Sequence, residues 1–260
     1  MEVRRAGDRY RSGEAGTGIE TRHAFSFGAH YAPDNVRFGL LLACNEERLA
    51  PGAGFAEHPH RDTEIVTWVV TGELAHRDGE GRATRLGPGG LQVLSAGSGV
   101  RHEERNAGGT PLRFVQMWLH PGVFGGPPGY AAAPAPAPPG PGLRLLASGA
   151  PGTAPALRLR HPAAALHAGR PTAPDSCPLP DAPFLYVHVV RGRVHLGDHL
   201  LKPGDAARIT DERAVHAATR GPAEYLVWEM HGPFSAAGSP PSASTVDTGF
   251  ERPETRRRQK

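Results

Sequence analysis

The sequence predicts an all-β protein made of two tandem barrels, and three observations lead to this prediction. Short runs of branched and aromatic residues are separated by glycine, proline and aspartate, a rhythm typical of barrels and sandwiches. Glycine (34) and proline (27) are abundant among the 260 residues, which suits many tight turns. The run VVTGELAHRDGEGRATRLGPGGLQVL at 69–94 corresponds to VVRGRVHLGDHLLKPGDAARI at 189–209, so we expect an internal duplication of one barrel.

The expected strands are the apolar stretches that lie between turn residues. In the first half they cover residues 38–44, 64–70, 72–76, 91–94 and 112–119. In the second half they cover residues 143–146, 156–160, 184–190, 194–196, 206–209 and 225–230. All of them are short, as the strands of globular domains usually are.

Changes in composition divide the chain into four parts. Residues 1–122 are expected to form the first barrel. Residues 123–142 are rich in proline, alanine and glycine and have little to bury, so they are interpreted as an extended connector between domains. Residues 143–234 are expected to form the second barrel, and the polar, proline- and serine-rich tail 235–260 is expected to be disordered.

Charge and cysteine content argue against several classes of protein. The formal net charge is only +3, and much of it lies in the C-terminal arginine cluster, so a basic nucleic-acid groove is not expected. Cys44 and Cys177 are far apart in the sequence, which argues against a disulfide framework or a thiolate zinc site. No apolar run approaches the roughly 18 residues of a membrane span. We therefore expect a cytoplasmic protein that binds neither nucleic acid nor membrane.

Four residues in two separate segments have the spacing of a metal site. His58 and His60 lie two apart, as do His102 and Glu104, and residues two apart in a strand project from the same face. Three imidazoles and one carboxylate suit one divalent transition metal, whether Fe(II), Mn(II), Ni(II), Cu(II) or Zn(II), and leave positions open for substrate. Glu64 shares the parity of the first pair and stays an alternative carboxylate. An isolated H-x-H is common on exposed strands, so the second pair is what strengthens the hypothesis.

Both segments also match the two halves of the cupin pattern. The first, G-x3-H-x-H-x3-E-x7-G, runs from Gly54 to Gly72, and the second, G-x2-H-x3-N, runs from Gly99 to Asn106. More narrowly, the stretches HPHRDTEIVTWVVTGELAHRDGEG, LQVLSAGSGVRHEERN and HAFSFGAHYAPD resemble the pirin family of two-domain cupins. The resemblance is strong in the first expected domain and weak in the second. It implies two jelly-roll-type cupin barrels.

The resemblance to pirins also implies how the site is used. It places the metal ligands at His58, His60, His102 and Glu104, with iron as the usual metal, expected here as Fe(II), and nickel, copper, manganese or zinc as alternatives. As a ligand, Glu104 is also positioned to serve as the catalytic proton acceptor. Glu64 then becomes a neighbouring carboxylate that orients a histidine.

For function, the resemblance implies a dioxygenase that acts on a flavonol such as quercetin, with dioxygen as the second substrate. Glu103 and Glu64 are held in reserve as the base. The residues expected to line a pocket for a planar aromatic molecule are Phe25, Phe27, Gln116 and Trp118, although large residues in strands are more often simply core. Pirins are also described as redox-sensitive regulators, so a non-enzymatic iron-binding protein with a protein partner is the alternative. A metal-stabilised fold without turnover is the third.

The other histidines and Cys44 are given structural roles. The second barrel has no H-x-H, and its scattered histidines are expected to be surface or partly buried residues in a metal-free domain: His188, His195, His199 and His216. His23 and His76 have no partner of suitable spacing and are expected to be structural. Cys44 lies in an apolar strand and is expected to be packed in a core.

Overall fold

The computed structural model describes residues 1–13, 16–135 and 139–232. Within these ranges the chain forms 22 strands and two short 3-10 helices, Ala6–Asp8 and Pro33–Asn35. None of the helices in these ranges has the length and apolar character needed to cross a membrane. The expected disordered tail, together with the last two residues of the expected second domain, lies outside the described residues.

The first barrel consists of a seven-stranded and a four-stranded antiparallel sheet. The larger sheet has the order β12-β9-β6-β11-β4-β3-β2, with β2 (Tyr10–Ser12), β3 (Ile19–His23), β4 (Leu41–Leu49), β6 (Glu64–Thr71), β9 (Leu91–Ser95), β11 (Leu112–Leu119) and β12 (Gly129–Ala133). The smaller sheet has the order β5-β10-β7-β8, with β5 (Gly54–His60), β7 (Leu74–Asp78), β8 (Ala83–Leu86) and β10 (Val100–Asn106). Both sheets contribute to one apolar cluster that closes one end of the barrel.

The second barrel repeats this arrangement. Its larger sheet has the order β1-β20-β17-β22-β15-β13-β14, with β1 (Glu2–Arg4), β13 (Gly140–Ser148), β14 (Leu157–Arg158), β15 (Ala164–Arg170), β17 (Phe184–Arg191), β20 (Ala206–Thr210) and β22 (Glu224–Met230). Its smaller sheet has the order β16-β21-β18-β19, with β16 (Asp175–Pro178), β18 (Val194–Leu196), β19 (His199–Leu201) and β21 (His216–Thr219). The equivalent strand orders confirm the predicted duplication and the all-β, two-barrel fold.

The two seven-stranded sheets pack against each other and bury the largest apolar cluster. Strand β6 shows how alternation builds this contact, because successive side chains point to opposite faces. Val66, Trp68 and Val70 face the second barrel and belong to the shared cluster, whereas Thr67 and Val69 face their own barrel. Trp68 Nε1 donates a hydrogen bond of 2.6 Å to Glu224 of the second barrel, so the contact is both apolar and hydrogen-bonded.

The segment expected to be a simple connector is partly sheet. Gly129–Ala133 forms β12 and pairs with β9 of the first barrel, and β13 of the second barrel already begins at Gly140. Backbone hydrogen bonds do not require apolar side chains, so a stretch of glycine and alanine can serve as an edge strand. The chain start also differs from the expected domain division, since Glu2–Arg4 pairs with β20 of the second barrel.

A buried polar cluster lies where the two barrels meet. Arg9 donates to Nδ1 of His188 at 2.9 Å, and Nε2 of the same ring lies 3.2 Å from Glu46. Arg113 donates to Glu46 at 3.1 Å. The prediction that His188 is a surface or partly buried histidine is therefore wrong, because it is 1% exposed. The same prediction holds for the other three histidines of that group, which are half-buried or exposed.

Candidate metal centre

Three imidazoles meet inside the first barrel, as predicted. Strands β5 and β10 are antiparallel neighbours, and their register places His58 directly opposite His102. His60 joins them from the same face of β5, so that the three ring centroids lie 4.6–5.0 Å apart. Their candidate ligand atoms all lie within 4.8 Å of one another. This is the spacing expected of groups that share one ion.

Glu104 lies beside His102 at the inner end of this cluster. The register between β10 and β5 shifts between His102 and Glu104, and such a shift re-aims side chains. The Glu104 carboxylate is 1% exposed and accepts hydrogen bonds from Gln92 Nε2 at 2.6 Å and from Gln116 Nε2 at 2.7 Å. Two amides thus hold both carboxylate oxygens in place.

The electrostatics of the metal-free site favour the ligating form of each histidine. Burial lowers the pKa of His58, lowers that of His60 to about 3 and lowers that of His102 further, so all three imidazoles are neutral at pH 7. Burial also raises the pKa of Glu104 to about 7, against the effect of its two amide donors. Neutral imidazoles beside a carboxylate that lacks a cationic neighbour form a donor set that a divalent cation would complete.

His76 is part of the site although the sequence interpretation treated it as merely structural. Its Nδ1 lies 3.3 Å from Nδ1 of His102, and the trio His76, His102 and Glu104 also has candidate ligand atoms within 4.8 Å of one another. The donors therefore form two overlapping trios that share His102. The signal available in the sequence was parity, since His76 follows Leu74 on the inward face of β7.

The donor set fits a metal ion. Nε2 of His102 is buried and has no hydrogen-bond partner among the described residues, which is the state expected of a nitrogen whose partner is a bound cation. His58 hydrogen-bonds through Nδ1 to the backbone oxygen of Ala56 at 2.8 Å, which leaves Nε2 of that ring available. The residues that could hold the ion are His58, His60, His102 and Glu104.

A cavity of about 450 Å³ opens beside these residues. Phe27 and Trp118 form an aromatic wall, with their rings edge-to-face at 5.3 Å, and Trp118 also meets the His60 ring at 4.9 Å. Gln116 lies on the same wall. Three of the four residues predicted to line a pocket therefore do so, and the space suits a flat aromatic molecule.

Sequence reasoning missed a polar wall of the cavity, formed by residues of β2, β3 and β4. It adjoins the aromatic wall, since the His23 ring stacks on that of Phe27 at 4.8 Å. Ser12 Oγ lies 2.7 Å from His23 Nε2, and His23 Nδ1 lies 3.2 Å from Asn45 Oδ1. Thr21 donates to the Glu47 carboxylate, and burial raises the pKa of Glu47 to about 8. All five side chains line the cavity, so the wall offers hydrogen-bond acceptors to a ligand.

Glu64 does not lie beside the three imidazoles, which corrects its predicted role. Its carboxylate accepts from the backbone amide of Arg160 at 2.7 Å and from Ser95 Oγ at 3.3 Å. The parity argument failed because β5 ends at His60, the chain turns at Asp62 with φ of 50°, and Glu64 begins a strand of the other sheet. On that strand the even-numbered residues face the second barrel.

Phe25, the fourth predicted pocket residue, is also placed elsewhere. It is 1% exposed, belongs to the cluster between the two barrels and lies 5.7 Å from the Tyr186 ring. Glu103, the reserve base, projects from the opposite face of β10 and lies 3.6 Å from Arg105. Cys44 is fully buried in the shared cluster, which confirms that it is a packed residue.

Comparison with solved structures defines the class of protein. The bacterial pirin YhhW from Escherichia coli in complex with nickel(II) superposes with a TM-score of 0.80 at 26% identity, over 90% of this chain and 99% of that one. A quercetin 2,3-dioxygenase from Acinetobacter baumannii shares the fold with a TM-score of 0.73 at 22% identity, over 89% of this chain and 86% of that one. Two barrels of this strand order, the first with a histidine-lined interior, make the protein a two-domain cupin.

Sequence comparison then gives the family. The pirin family model matches residues 5–119, and the quercetinase C-terminal cupin domain model matches residues 163–230. A protein of Mycobacterium tuberculosis (strain ATCC 25618 / H37Rv), provisionally named a quercetin 2,3-dioxygenase, is 43% identical over 89% of this chain and 95% of its own length. A pirin-like protein of Caulobacter vibrioides is 36% identical over 80% of this chain and 91% of its own length. The chain belongs to the pirin family.

Proposed function

We propose that this protein is a metal-dependent dioxygenase of the pirin type that oxidises a flavonol such as quercetin. The observation that carries the proposal is the convergence of His58, His60 and His102 on a cavity large enough for a planar aromatic molecule, with Glu104 beside them. The names of relatives support the reaction class, since a quercetin 2,3-dioxygenase of Escherichia coli (strain K12) is 37% identical over 49% of this chain.

In this proposal His58, His60, His102 and Glu104 hold one divalent transition metal, with Fe(II) as the expected ion. The nickel(II) complex of the related bacterial pirin supports a divalent ion of this kind and leaves the choice of metal to experiment. When bound, the metal would supply Lewis acidity towards adjacent substrate oxygens and redox coupling to dioxygen.

The chain's own residues bind and orient the substrate. The rings of Phe27 and Trp118 enclose a flat substrate on one side, and the acceptors of the adjoining polar wall meet its hydroxyl groups. Glu104 accepts the enol proton, because a base needs only hydrogen-bond reach of the proton that it takes.

The test is a turnover assay on protein of defined metal content. Untagged protein is stripped with a chelator, loaded anaerobically with Fe(II), Ni(II), Cu(II), Mn(II) or Zn(II), and mixed with quercetin and oxygen while the flavonol absorbance is followed. We expect absorbance loss with at least one metal, and none with the His60→Ala variant. Metal-loaded protein that consumes neither quercetin nor other polyphenols would overturn the enzymatic proposal and leave an iron-binding regulator with a protein partner as the better account.

A further inference from the structure

Tyr130 lies on the segment that connects the two barrels. It contacts two residues that each touch a proposed metal ligand. Its ring stacks on His76, with centroids 4.2 Å apart and planes 12° from parallel. Its hydroxyl donates to Gln92 Oε1 at 3.0 Å. Burial raises the pKa of Tyr130 to about 12, so the hydroxyl keeps its proton throughout the physiological range. One side chain thus contacts both the histidine beside His102 and the amide beside Glu104.

The contact with His76 fixes the tautomer of His102. The two Nδ1 atoms are 3.3 Å apart, and one of them must donate while the other accepts. For Nε2 of His102 to bind a cation it must carry no proton, so the proton of His102 is on Nδ1 and His76 accepts it. A metal ligand whose other nitrogen is held in this way is oriented before the ion arrives. Stacking on Tyr130 keeps the His76 ring in the plane that this contact needs.

The contact with Gln92 fixes the direction of an amide. An amide can present either its oxygen or its nitrogen, and the two are distinguished by their partners. Because the Tyr130 hydroxyl donates to Gln92 Oε1, the Nε2 group faces Glu104 and donates to it at 2.6 Å. Without that hydroxyl the Gln92 oxygen loses its partner, and only the donor contacts of Nε2 with Glu104 and Thr67 still hold the amide in this orientation.

We infer that Tyr130 is a positioning residue of the metal centre, and that pairing of β12 with β9 completes the site. The inference rests on the proposed function only for the identity of the metal ligands. Strand β12 is an edge strand, held along the backbone by five residue pairs with β9, and the chain then enters the second barrel at Gly140. The segment that connects the two domains therefore contributes a positioning residue, Tyr130, to the first barrel.

The first test is Tyr130→Phe, which removes the hydroxyl but keeps the ring. Ni(II) affinity is measured by competition with a chromophoric chelator. We expect about tenfold weaker binding, because the hydroxyl orients Gln92, and loss of a direct hydrogen-bond partner of a metal ligand weakens binding about 10–100-fold. Tyr31→Phe is the matched control, because Tyr31 is 76% exposed, and its affinity should equal that of the wild type. Equal affinity of Tyr130→Phe and wild type would overturn the inference.

A double-mutant cycle separates positioning from general stability. If the hydroxyl acts through Gln92, Tyr130→Phe should weaken Ni(II) binding in the wild-type background and leave it unchanged in a Gln92→Ala background. A purely structural role predicts the same loss in both backgrounds, and that result would contradict the inference. The thermal midpoint of each metal-free variant, followed by circular dichroism, shows that the compared proteins are folded.

Hydrogen exchange tests the reciprocal effect. If docking of β12 favours metal binding, then Ni(II) must favour docking of β12 by the same factor, and the amides of residues 129–133 should exchange more slowly in the loaded protein. Tyr130→Ala should abolish this slowing, and Tyr31→Ala should not. Slowing that is unchanged in Tyr130→Ala would refute the role of the ring.

Wild-type protein that binds Ni(II) without consuming quercetin would overturn the dioxygenase proposal alone. Wild-type protein that binds no ion would overturn both the dioxygenase proposal and the inference about Tyr130.

Discussion

The two barrels share one strand order and differ in what fills them. Strand pairing identifies equivalent positions in the two barrels. In the first barrel, Thr67 pairs with Gln92 on one side and with Gln116 on the other. The equivalent residue of the second barrel is Val187, which lies between Ala207 and Val227. A row of three polar side chains around the histidines thus corresponds to three fully buried apolar ones.

The same replacement occurs on the smaller sheets. Glu104 pairs with His76 in the first barrel, and the equivalent pair in the second is Ala217 with Leu196, both 0% exposed. Buried polar groups lower stability unless every one has a partner, and the second barrel avoids that loss of stability at these positions. In the interior of the first barrel, Nε2 of His76 and Nε2 of His102 are buried and have no hydrogen-bond partner among the described residues.

The strongest test of this difference is to remove one imidazole. His60→Ala should lower Ni(II) or Fe(II) affinity at least a hundredfold, because a ligand atom contributes more than the outer partners whose loss gives 10–100-fold effects. Elemental analysis after dialysis measures the occupancy. In the second barrel, His188→Ala should lower thermal stability, because it removes the ring that lies between the buried Arg9 and Glu46, but should not lower metal occupancy. Equal metal loss in both variants would break the comparison.

The second test uses the buried carboxyl of Glu47. In the metal-free protein burial raises its pKa to about 8. The Glu47 carboxyl of the folded protein therefore keeps a proton that the unfolded chain releases near pH 4.5. The stability that this group contributes is fully present below pH 4.5 and is lost as pH rises through 8. The unfolding free energy of Glu47→Gln, relative to that of the wild type, should therefore increase by several kcal/mol between pH 5 and pH 9, since one pKa unit is about 1.4 kcal/mol.

Urea unfolding at the two pH values measures this gain. The control is Glu73→Gln, a surface residue paired with the exposed Arg85, which should shift stability equally at both pH values. If the wild type and Glu47→Gln show parallel pH dependence, the Glu47 carboxyl does not have the raised pKa that its burial implies. The equivalent position in the second barrel is Gly169, which carries no polar group.

The third test concerns the packed interior of the second barrel. A Cβ atom at Gly169 would lie 2.1 Å from Cζ of the buried Tyr225 ring, so Gly169→Ala overfills the core. We expect a loss of about 1–3 kcal/mol in unfolding free energy, with metal affinity unchanged. Gly221→Ala is the control, because nothing lies within 4 Å of its added Cβ. A drop in metal affinity caused by Gly169→Ala would show that the two barrels are not independent in this respect.

Much of the fold could be predicted because apolar strands carry a strong local signal. The runs at 112–119 and 184–190 match β11 and β17 within a residue. The predicted strand at 38–44 instead continues to Leu49 as β4, because its second half carries Glu46 and Glu47, whose burial depends on partners from distant strands. Strand β15 was missed, since small residues such as those of Ala164–Arg170 give little periodic signal.

The candidate site was predictable where the candidate ligands come in close pairs along one strand. His58, His60 and His102 meet as their spacing indicates, whereas Glu64 does not, because a turn breaks the parity between β5 and β6. Tyr130 was not predictable, since the surrounding glycine and alanine give no sign of a strand. The role of such a residue depends on contacts between segments far apart in sequence, and local composition does not indicate those contacts.

The smallest expected effect tests the polar wall, at which the second barrel differs because Leu145 occupies the position of His23. Burial lowers the pKa of His23 to about 4, so the ring is neutral at pH 7. Asn45 Oδ1 accepts from Nδ1 of this ring, so Nε2 accepts the Ser12 hydroxyl proton. The lone pairs of the Ser12 hydroxyl then face the cavity and can accept from a substrate hydroxyl.

Ser12→Ala should therefore weaken binding of a hydroxylated flavonol about fivefold, because one neutral hydrogen bond contributes about 1 kcal/mol. Quenching of tryptophan fluorescence in the nickel-loaded protein measures the affinity, and Ser176→Ala on the exposed face of β16 is the matched control. The effect should vanish for a flavonol without hydroxyl groups on the ring that meets this wall. Equal weakening for both flavonols would show that Ser12 shapes the cavity without recognising hydroxyl groups, and the polar wall would then not determine specificity.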